Sequence, residues 1–158
     1  MTDSIVVRRL EHADSALFRE TMQSLKPSAC PHSASEKGEA KAWLAQSANI
    51  LIAALHEDTP VGFALGYLLD RVDGAAPMLF LYEIEVTAAF RRRGIGSRLV
   101  EAMKDVARNE RVVKMWVQAD PGNDAARALY QRTGGVKNET ADLIYVWFDL
   151  AHHGESPA

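Results

Sequence analysis

Residues 78–109 place the strongest constraint on the fold, because an apolar strand pattern leads through a basic, glycine-containing loop into an amphipathic helix pattern. The strand is predicted over 78–86 and the helix over 94–109, where apolar residues recur at three- and four-residue spacing. A strand followed this closely by a helix is typical of domains in which helices pack on the faces of a sheet. We therefore expect an α/β protein with a mixed sheet.

The same periodicities extend this pattern over the rest of the chain. They predict strands at 5–10, 49–56, 61–69, 112–119 and 143–150 and helices at 14–25, 36–46 and 123–133. A polar turn over 57–60 joins two of these strands into a hairpin. No break in composition divides the chain, so we predict a single domain over 1–150 and a frayed tail over 151–158.

Composition narrows the class of protein. The chain has 158 residues, 25% of them charged, and a formal net charge of -3, which disfavours a dedicated nucleic-acid binder and favours a cationic ligand. No apolar run approaches the roughly 20 residues of a membrane span. The single cysteine, Cys30, excludes an intrachain disulfide and suits a reducing compartment. We predict a cytoplasmic protein with no membrane partner, and no metal, since His152 and His153 lack a metal-ligand context.

The loop between the strand and the helix has the features of an anion site. Its residues 91–97 read Arg-Arg-Arg-Gly-Ile-Gly-Ser, so two glycines stand where the helix begins. The first amides of a helix lack intrahelical partners and lie at the positive end of its dipole, which suits a pyrophosphate. The alternative is a solvated basic loop. The spacing matches neither a Walker loop nor a dinucleotide-binding fingerprint, because the required Gly-Lys-Ser/Thr and the third glycine are missing.

Two motifs in this order resemble those of a known family. Arg91-x-x-Gly94-x-Gly96, after a strand ending at Val86, resembles the acetyl-CoA signature of the GNAT N-acetyltransferases, and Asn123 followed seven residues later by Tyr130 resembles their second signature. A closer likeness covers 78–150, where LYEIEV, FRRRGIG, VQADPGNDAARALY and WFDL resemble segments of aminoglycoside 3-N-acetyltransferases of the gentamicin-resistance type. Glu83 stands where that group is expected to have Asp, and the first half of the chain matches only in outline.

The resemblance implies a fold and a cofactor. The fold is a central, mostly antiparallel sheet with helices on both faces, and the cofactor is acetyl-CoA. The backbone of the strand end would pair with the pantetheine arm, the loop would surround the pyrophosphate, and the following helix would face the arm. The implied cofactor-binding residues are Ile84, Val86, Arg91, Arg92, Arg93, Gly94, Ile95, Gly96, Ser97, Asn123 and Ala126. Homodimers are common in the family, so we also expect a homodimer.

Acyl transfer to an amine needs a base and benefits from an acid. Glu83 and Glu85 lie two residues apart on a strand, so their side chains are expected on one face. We predict Glu83 as the base because it stands at the position that is acidic in the family that the chain resembles. Tyr130 lies one helical turn after Ala126, and its phenol is the predicted proton donor to the leaving thiolate. The alternatives are solvent-facing carboxylates and a core tyrosine. Cys30 has no evident base beside it and is not predicted as a nucleophile.

The predicted acceptor is a polycationic amine, specifically the 3-amino group of an aminoglycoside. Negative charge for it would come from Glu85, Asp120, Asp142 and Asp149. The loop around His32 could cover the acceptor. Two alternatives stay open at this point: acetylation of another amine, such as a polyamine, an amino acid or a protein N-terminus, and a non-catalytic module that binds acyl-CoA.

Overall fold

A computed structural model describes residues 4–27 and 37–137. In these ranges the strands are β1 (Ile5–Arg9), β2 (Asn49–His56), β3 (Thr59–Leu69), β4 (Met78–Val86) and β5 (Lys114–Val117), and the helices are α1 (Ser15–Leu25), α2 (Lys37–Leu44), α3 (Ile95–Asn109) and α4 (Asp124–Arg132). Short 3-10 turns, His12–Asp14 and Ala88–Phe90, precede α1 and α3. The predicted strand over 143–150 lies outside the described residues.

The described strands form one mixed sheet in the order β1-β2-β3-β4-β5. Neighbouring strands are antiparallel except for β4 and β5, which are parallel. Because the sheet is mixed and mostly antiparallel and carries helices, it confirms the predicted fold class. No helix in the described part of the chain is long and apolar enough to cross a membrane.

Successive apolar side chains of β2 point to opposite faces of the sheet, and they belong to two core clusters, one on each face. Ile50 and Ile52 belong to the cluster that contains the buried stripe of α3, whereas Leu51 and Ala53 belong to the cluster that α1 and α2 cover. Both sides of this interior strand are therefore buried, as expected when helices lie on both faces. The α3 stripe includes Leu99, Val100, Met103 and Val106.

A β-bulge in β4 is one of two register irregularities in the described sheet, the other being a shift at Ala54 and Leu55 of β2. Glu83 lies opposite Leu65 of β3, but Leu81 lies opposite Gly66, so Tyr82 is an extra residue on β4. An extra residue shifts the side-chain alternation by one position. Leu81 before the bulge and Ile84 after it consequently both face the α3 cluster.

Four predicted boundaries were wrong by two residues, among them the end of α2 (Leu44 instead of 46) and the end of β5 (Val117 instead of 119). The hairpin turn consists of Glu57 and Asp58, both with positive φ (48° and 63°), so β3 begins at Thr59 instead of 61. Strand β5 begins at Lys114 instead of 112, because the Val112 amide donates to the Ala107 carbonyl at 2.8 Å and completes the turn that ends α3.

Candidate active site

The site begins where β4 and β5 separate. Among the residues that the structure describes, strand β5 pairs with Met78–Leu81, and Leu81↔Val117 is the last pair of the parallel register. Beyond this fork, the β4 edge from Tyr82 to Val86 faces no strand among the residues that the structure describes. An open strand edge presents a row of backbone donors and acceptors to an extended ligand.

The hydrogen-bond pattern shows which backbone groups face this edge. The Thr87 amide donates to the Val61 carbonyl of β3 at 2.9 Å. Hydrogen-bonded and non-hydrogen-bonded pairs alternate in an antiparallel ladder, so the backbone groups of Ile84 and Val86 point away from β3 and toward the fork. The Val86 carbonyl accordingly accepts from Nε of Arg91 at 2.8 Å. Ile84 and Val86 thus present backbone groups where the sequence predicted cofactor pairing.

The loop after β4 ends in a left-handed turn. Arg92 has a φ of 63°, and Gly94, which precedes the first residue of α3, has a φ of 76°. Glycine adopts this conformation without the penalty of about 1–2 kcal/mol that other residues incur. The turn carries the chain directly from the loop into α3, so the first amides of the helix, Ile95 to Ser97, face the loop.

Ile95, Gly96 and Ser97 of the predicted anion site have different roles in the structure. The Ile95 side chain is buried in the core, so only its amide can contact a ligand. A Cβ on Gly96 would lie 3.3 Å from Leu129 Cδ2, so this glycine allows α4 to pack closely against α3. Ser97 Oγ accepts from Nε of Arg132 at 3.3 Å. The amides of the turn, together with the helix dipole, therefore carry the anion-binding capacity of these three residues.

The three arginines of the loop have different contacts. Arg91 turns back to β4, where its Nη2 lies 3.1 Å from Oε1 of Glu85. The guanidinium carbon of Arg93 lies 4.9 Å from the centre of the Phe90 ring. Arg92 is exposed at the tip of the loop. All three add positive charge beside the α3 N-terminus, and this setting fits the diphosphate of a nucleotide cofactor.

Asn123 and Asp120 shape the start of α4. Asn123 caps the helix, since its Oδ1 accepts from the Ala126 amide at 3.0 Å. Asp120 Oδ1 accepts from the Gly122 amide at 2.7 Å in the preceding turn. Both residues thus have local structural roles, while the predicted contacts of Asn123 and Ala126 with the cofactor, and of Asp120 with the acceptor, stay predictions.

Tyr130 lies beside the fork. It lines a cavity of about 240 Å³ together with Leu81 and Val117, the last paired residues of β4 and β5. Burial raises the pKa of its phenol, so the hydroxyl keeps its proton at neutral pH. This position suits a proton donor at the point where the strands part.

Glu83 and Glu85 lie on one face, as predicted. Their partners on β3 are Leu65 and Phe63, which belong to the side of the sheet that α1 covers. Each carboxylate has a cationic partner: Glu83 is paired with the ammonium of Lys26, and Glu85 with Arg91. The hydrogen bond to Glu83 is the main cause that raises the pKa of Lys26, and the charge of Glu85 adds to it.

Sequence reasoning missed Lys26, which is separated from Glu83 by 57 positions. It follows the last residue of α1, and no local pattern distinguishes it from a solvated lysine. It also missed a row of aromatic rings on the same face, formed by Tyr67, Tyr82, Phe80 and Trp116. Consecutive ring centres in this row are 5.7, 5.7 and 4.2 Å apart. The two-residue spacing of Phe80 and Tyr82 in β4 was the only sequence pattern that indicated this row of rings.

Several predicted features lie outside the described residues. They are Asp142 and Asp149 of the acceptor set, Cys30, His32 with its loop, and the tail with His152 and His153. Within residues 4–27 and 37–137, no group of three or more His, Cys, Asp or Glu side chains is arranged to hold a metal ion.

Comparison with known proteins agrees with this geometry. A ribosomal protein bS18-alanine N-acetyltransferase of Salmonella typhimurium is 39% identical over 54 residues, which are 34% of this chain and only 36% of that protein's length. An aminoglycoside acetyltransferase from an uncultured soil metagenomic sample, solved with sisomicin, superposes with a TM-score of 0.76 at 22% identity, over 91% of this chain and 96% of its own.

A second solved structure with the same fold is the aminoglycoside N-acetyltransferase AAC(6')-Iy in complex with CoA. Its TM-score is 0.73 at 22% identity, over 93% of this chain and 97% of its own. The model of the Acetyltransferase (GNAT) family matches residues 16–135. The fork, the left-handed turn and this match lead to one conclusion: the chain belongs to the GNAT family of acetyl-CoA-dependent acetyltransferases.

Proposed function

We propose that this protein transfers the acetyl group of acetyl-CoA to a primary amine of an aminoglycoside, by direct attack within a ternary complex. The observation that carries the proposal is the arrangement at the fork. The open edge of β4 leads from the cavity of Tyr130 to the turn at Gly94, and Glu83 lies on the same strand. The proposed binding site for the acetyl donor and the carboxylates proposed to bind the acceptor amine therefore lie on the same five residues of β4, 82–86.

Acetyl-CoA supplies the activated acetyl thioester. The backbone of Ile84 and Val86 would hold the pantetheine arm by strand addition, and the amides at the start of α3 would hold the diphosphate. Holding both reactants in a fixed geometry lowers the entropic part of the barrier. Glu83 accepts a proton from the acceptor ammonium, and Tyr130 holds the proton that the departing sulfur requires.

The assay is release of free thiol by purified protein with acetyl-CoA and a panel of aminoglycosides that includes sisomicin and gentamicin. We expect thiol release that depends on both substrates, and increased resistance of a susceptible bacterium that expresses the protein. The prediction of the 3-amino group rests only on the sequence resemblance, whereas one structural neighbour is a 6'-type enzyme. The NMR spectrum of the acetylated product distinguishes the two amines.

A second acceptor is supported by the 39% identity over 54 residues to an alanine N-acetyltransferase of a ribosomal protein. A peptide that begins with alanine therefore belongs in the same panel. Acetylation of the peptide alone would replace the aminoglycoside proposal and leave the acetyl transfer intact. Coenzyme A binding without thiol release on any amine would instead indicate a non-catalytic module. Sedimentation velocity tests the proposed homodimer.

A further inference from the structure

The ion pair between Lys26 and Glu83 places a primary ammonium group on the carboxylate that we propose as the base. An acceptor amine is itself an ammonium at neutral pH, so it requires the same charge complement. We propose that Lys26 is a specificity-determining residue whose ammonium occupies the acceptor-ammonium position, so that acceptor binding exchanges one cation for another at Glu83. This inference rests on the proposed function of Glu83.

The surroundings of Lys26 are those of an acceptor subsite. The charge of Glu85 also contributes to the raised pKa of Lys26, and Tyr82 is the neighbour of Glu83 on β4. Tyr82 is 57% exposed, and its ring lies edge-on to Tyr67 at 5.7 Å. Two carboxylates beside aromatic rings attract an organic cation through charge and through the ring faces.

The backbone of Lys26 is held in place while its side chain remains partly free. The Lys26 amide donates to the Met22 carbonyl at 2.8 Å and closes the last turn of α1, and Leu25 packs in the core cluster beneath α1. The side chains of Lys26 and Glu83 are 32% and 23% exposed. A lysine has four rotatable side-chain bonds, so its ammonium can leave Glu83 without movement of the helix.

Exchange is energetically feasible, because a partly exposed ion pair contributes little to stability. An acceptor that displaces Lys26 must nevertheless compete with a cation that is tethered beside the site. Removing this competitor should strengthen acceptor binding without changing the chemical step. A purely structural ion pair predicts a different result: lower thermal stability with an unchanged KM.

The test compares wild type with Lys26→Met, which keeps the apolar stem and removes the charge. Arg108→Met is the matched control, because it breaks an exposed ion pair with Asp105 on α3, away from the site. We expect Lys26→Met to lower the KM for the acceptor by about 2- to 5-fold, with kcat unchanged within about 1.5-fold of wild type. Lys26→Gln serves the same purpose if the Met variant does not fold.

Calorimetric titration tests the exchange at Glu83, and thiol release tests the proposed function. Sisomicin and a peptide that begins with alanine are titrated calorimetrically into each protein loaded with coenzyme A. Tighter binding of either probe to Lys26→Met than to wild type and Arg108→Met supports the exchange. Equal or weaker binding, or no binding of either probe to any of the proteins, overturns it. If wild type releases no thiol with any amine, the proposed function fails whatever the titrations show.

Discussion

Arg91 and Glu85 form an ion pair that turns the first arginine of the loop back onto β4, with Nη2 and Oε1 3.1 Å apart. The same guanidinium donates to the Val86 carbonyl at 2.8 Å through Nε. Arg91 thus connects the loop to the strand that we propose to hold the cofactor arm. Arg92 next to it is exposed, with its backbone in the left-handed region.

These different settings predict different effects on cofactor binding. Arg91→Ala removes two bonds that fix the loop, so we expect the Kd for coenzyme A to rise about fivefold at low salt, and part of this rise should persist at high salt because the hydrogen bond to the Val86 carbonyl is not an ion pair. Arg92→Ala removes an exposed charge, and we expect a rise of about two- to threefold that disappears in high salt. Calorimetry at two salt concentrations checks both. An equal salt dependence of the two variants would contradict the assigned roles.

Gly94 provides a second prediction. A Cβ at this position would meet no atom within 4 Å, so any effect of Gly94→Ala comes from its φ of 76° and not from a clash. The left-handed conformation costs an alanine about 1–2 kcal/mol, and relaxation of the turn would move the α3 amides away from the diphosphate. We expect the Kd for coenzyme A to rise about 5- to 30-fold.

Gly74 is the matched control for Gly94. It has a φ of 70° and equally open surroundings, and it lies between β3 and β4. Gly74→Ala should lower the melting temperature about as much as Gly94→Ala does, because both place alanine at a positive φ, but it should leave coenzyme A affinity unchanged. A similar loss of affinity in both variants would show that general destabilisation, not the turn at Gly94, is responsible.

Tyr130 is tested by removing its hydroxyl. Tyr130→Phe should lower kcat by about 100-fold or more, the usual range for loss of a general acid, while the Kd for coenzyme A changes little. Burial raises the pKa of this phenol, so in wild type the proton is retained as the pH rises past the ordinary tyrosine range. A decline of kcat at high pH should therefore begin late in wild type and be absent in the variant. Unchanged kcat in Tyr130→Phe would remove the residue from the mechanism.

Asp14 links stability to pH. Two bonds from Arg8, at 2.8 and 2.9 Å, and one from the Glu11 amide hold the pKa of its carboxyl below the usual value, with Arg8 the main cause. A lowered pKa in the folded state means that the stabilisation is present above the ordinary Asp pKa and is lost as the pH falls through the lowered value.

The expected contribution of this carboxylate at neutral pH is about 1 kcal/mol or less, because the ion pair is partly exposed. Asp14→Asn should therefore be less stable than wild type toward urea at pH 7, and the two proteins should converge as the pH falls through the lowered pKa of Asp14. A difference that persists unchanged into acid would assign the effect to the amide substitution and not to the charge.

Much of the fold and of the donor site could be predicted from the sequence, because their signals are local. Apolar spacing identified α3 and the strand β4 that precedes it, and two glycines marked the start of the helix, where Gly94 has a positive φ. Even the shared face of Glu83 and Glu85 follows from the two-residue period of a strand. These properties depend on neighbours within a few residues along the chain.

The tertiary structure alone decided which groups meet. The bulge at Tyr82 depends on how β4 aligns with β3, and it determines that Leu81 and Ile84 face the same side. The pairing of Lys26 with Glu83 joins residues 57 positions apart, and only the packing of α1 on the sheet brings them together. Periodicity reports which face of its own element a residue occupies, whereas a contact between elements depends on their register and packing, which no local pattern encodes.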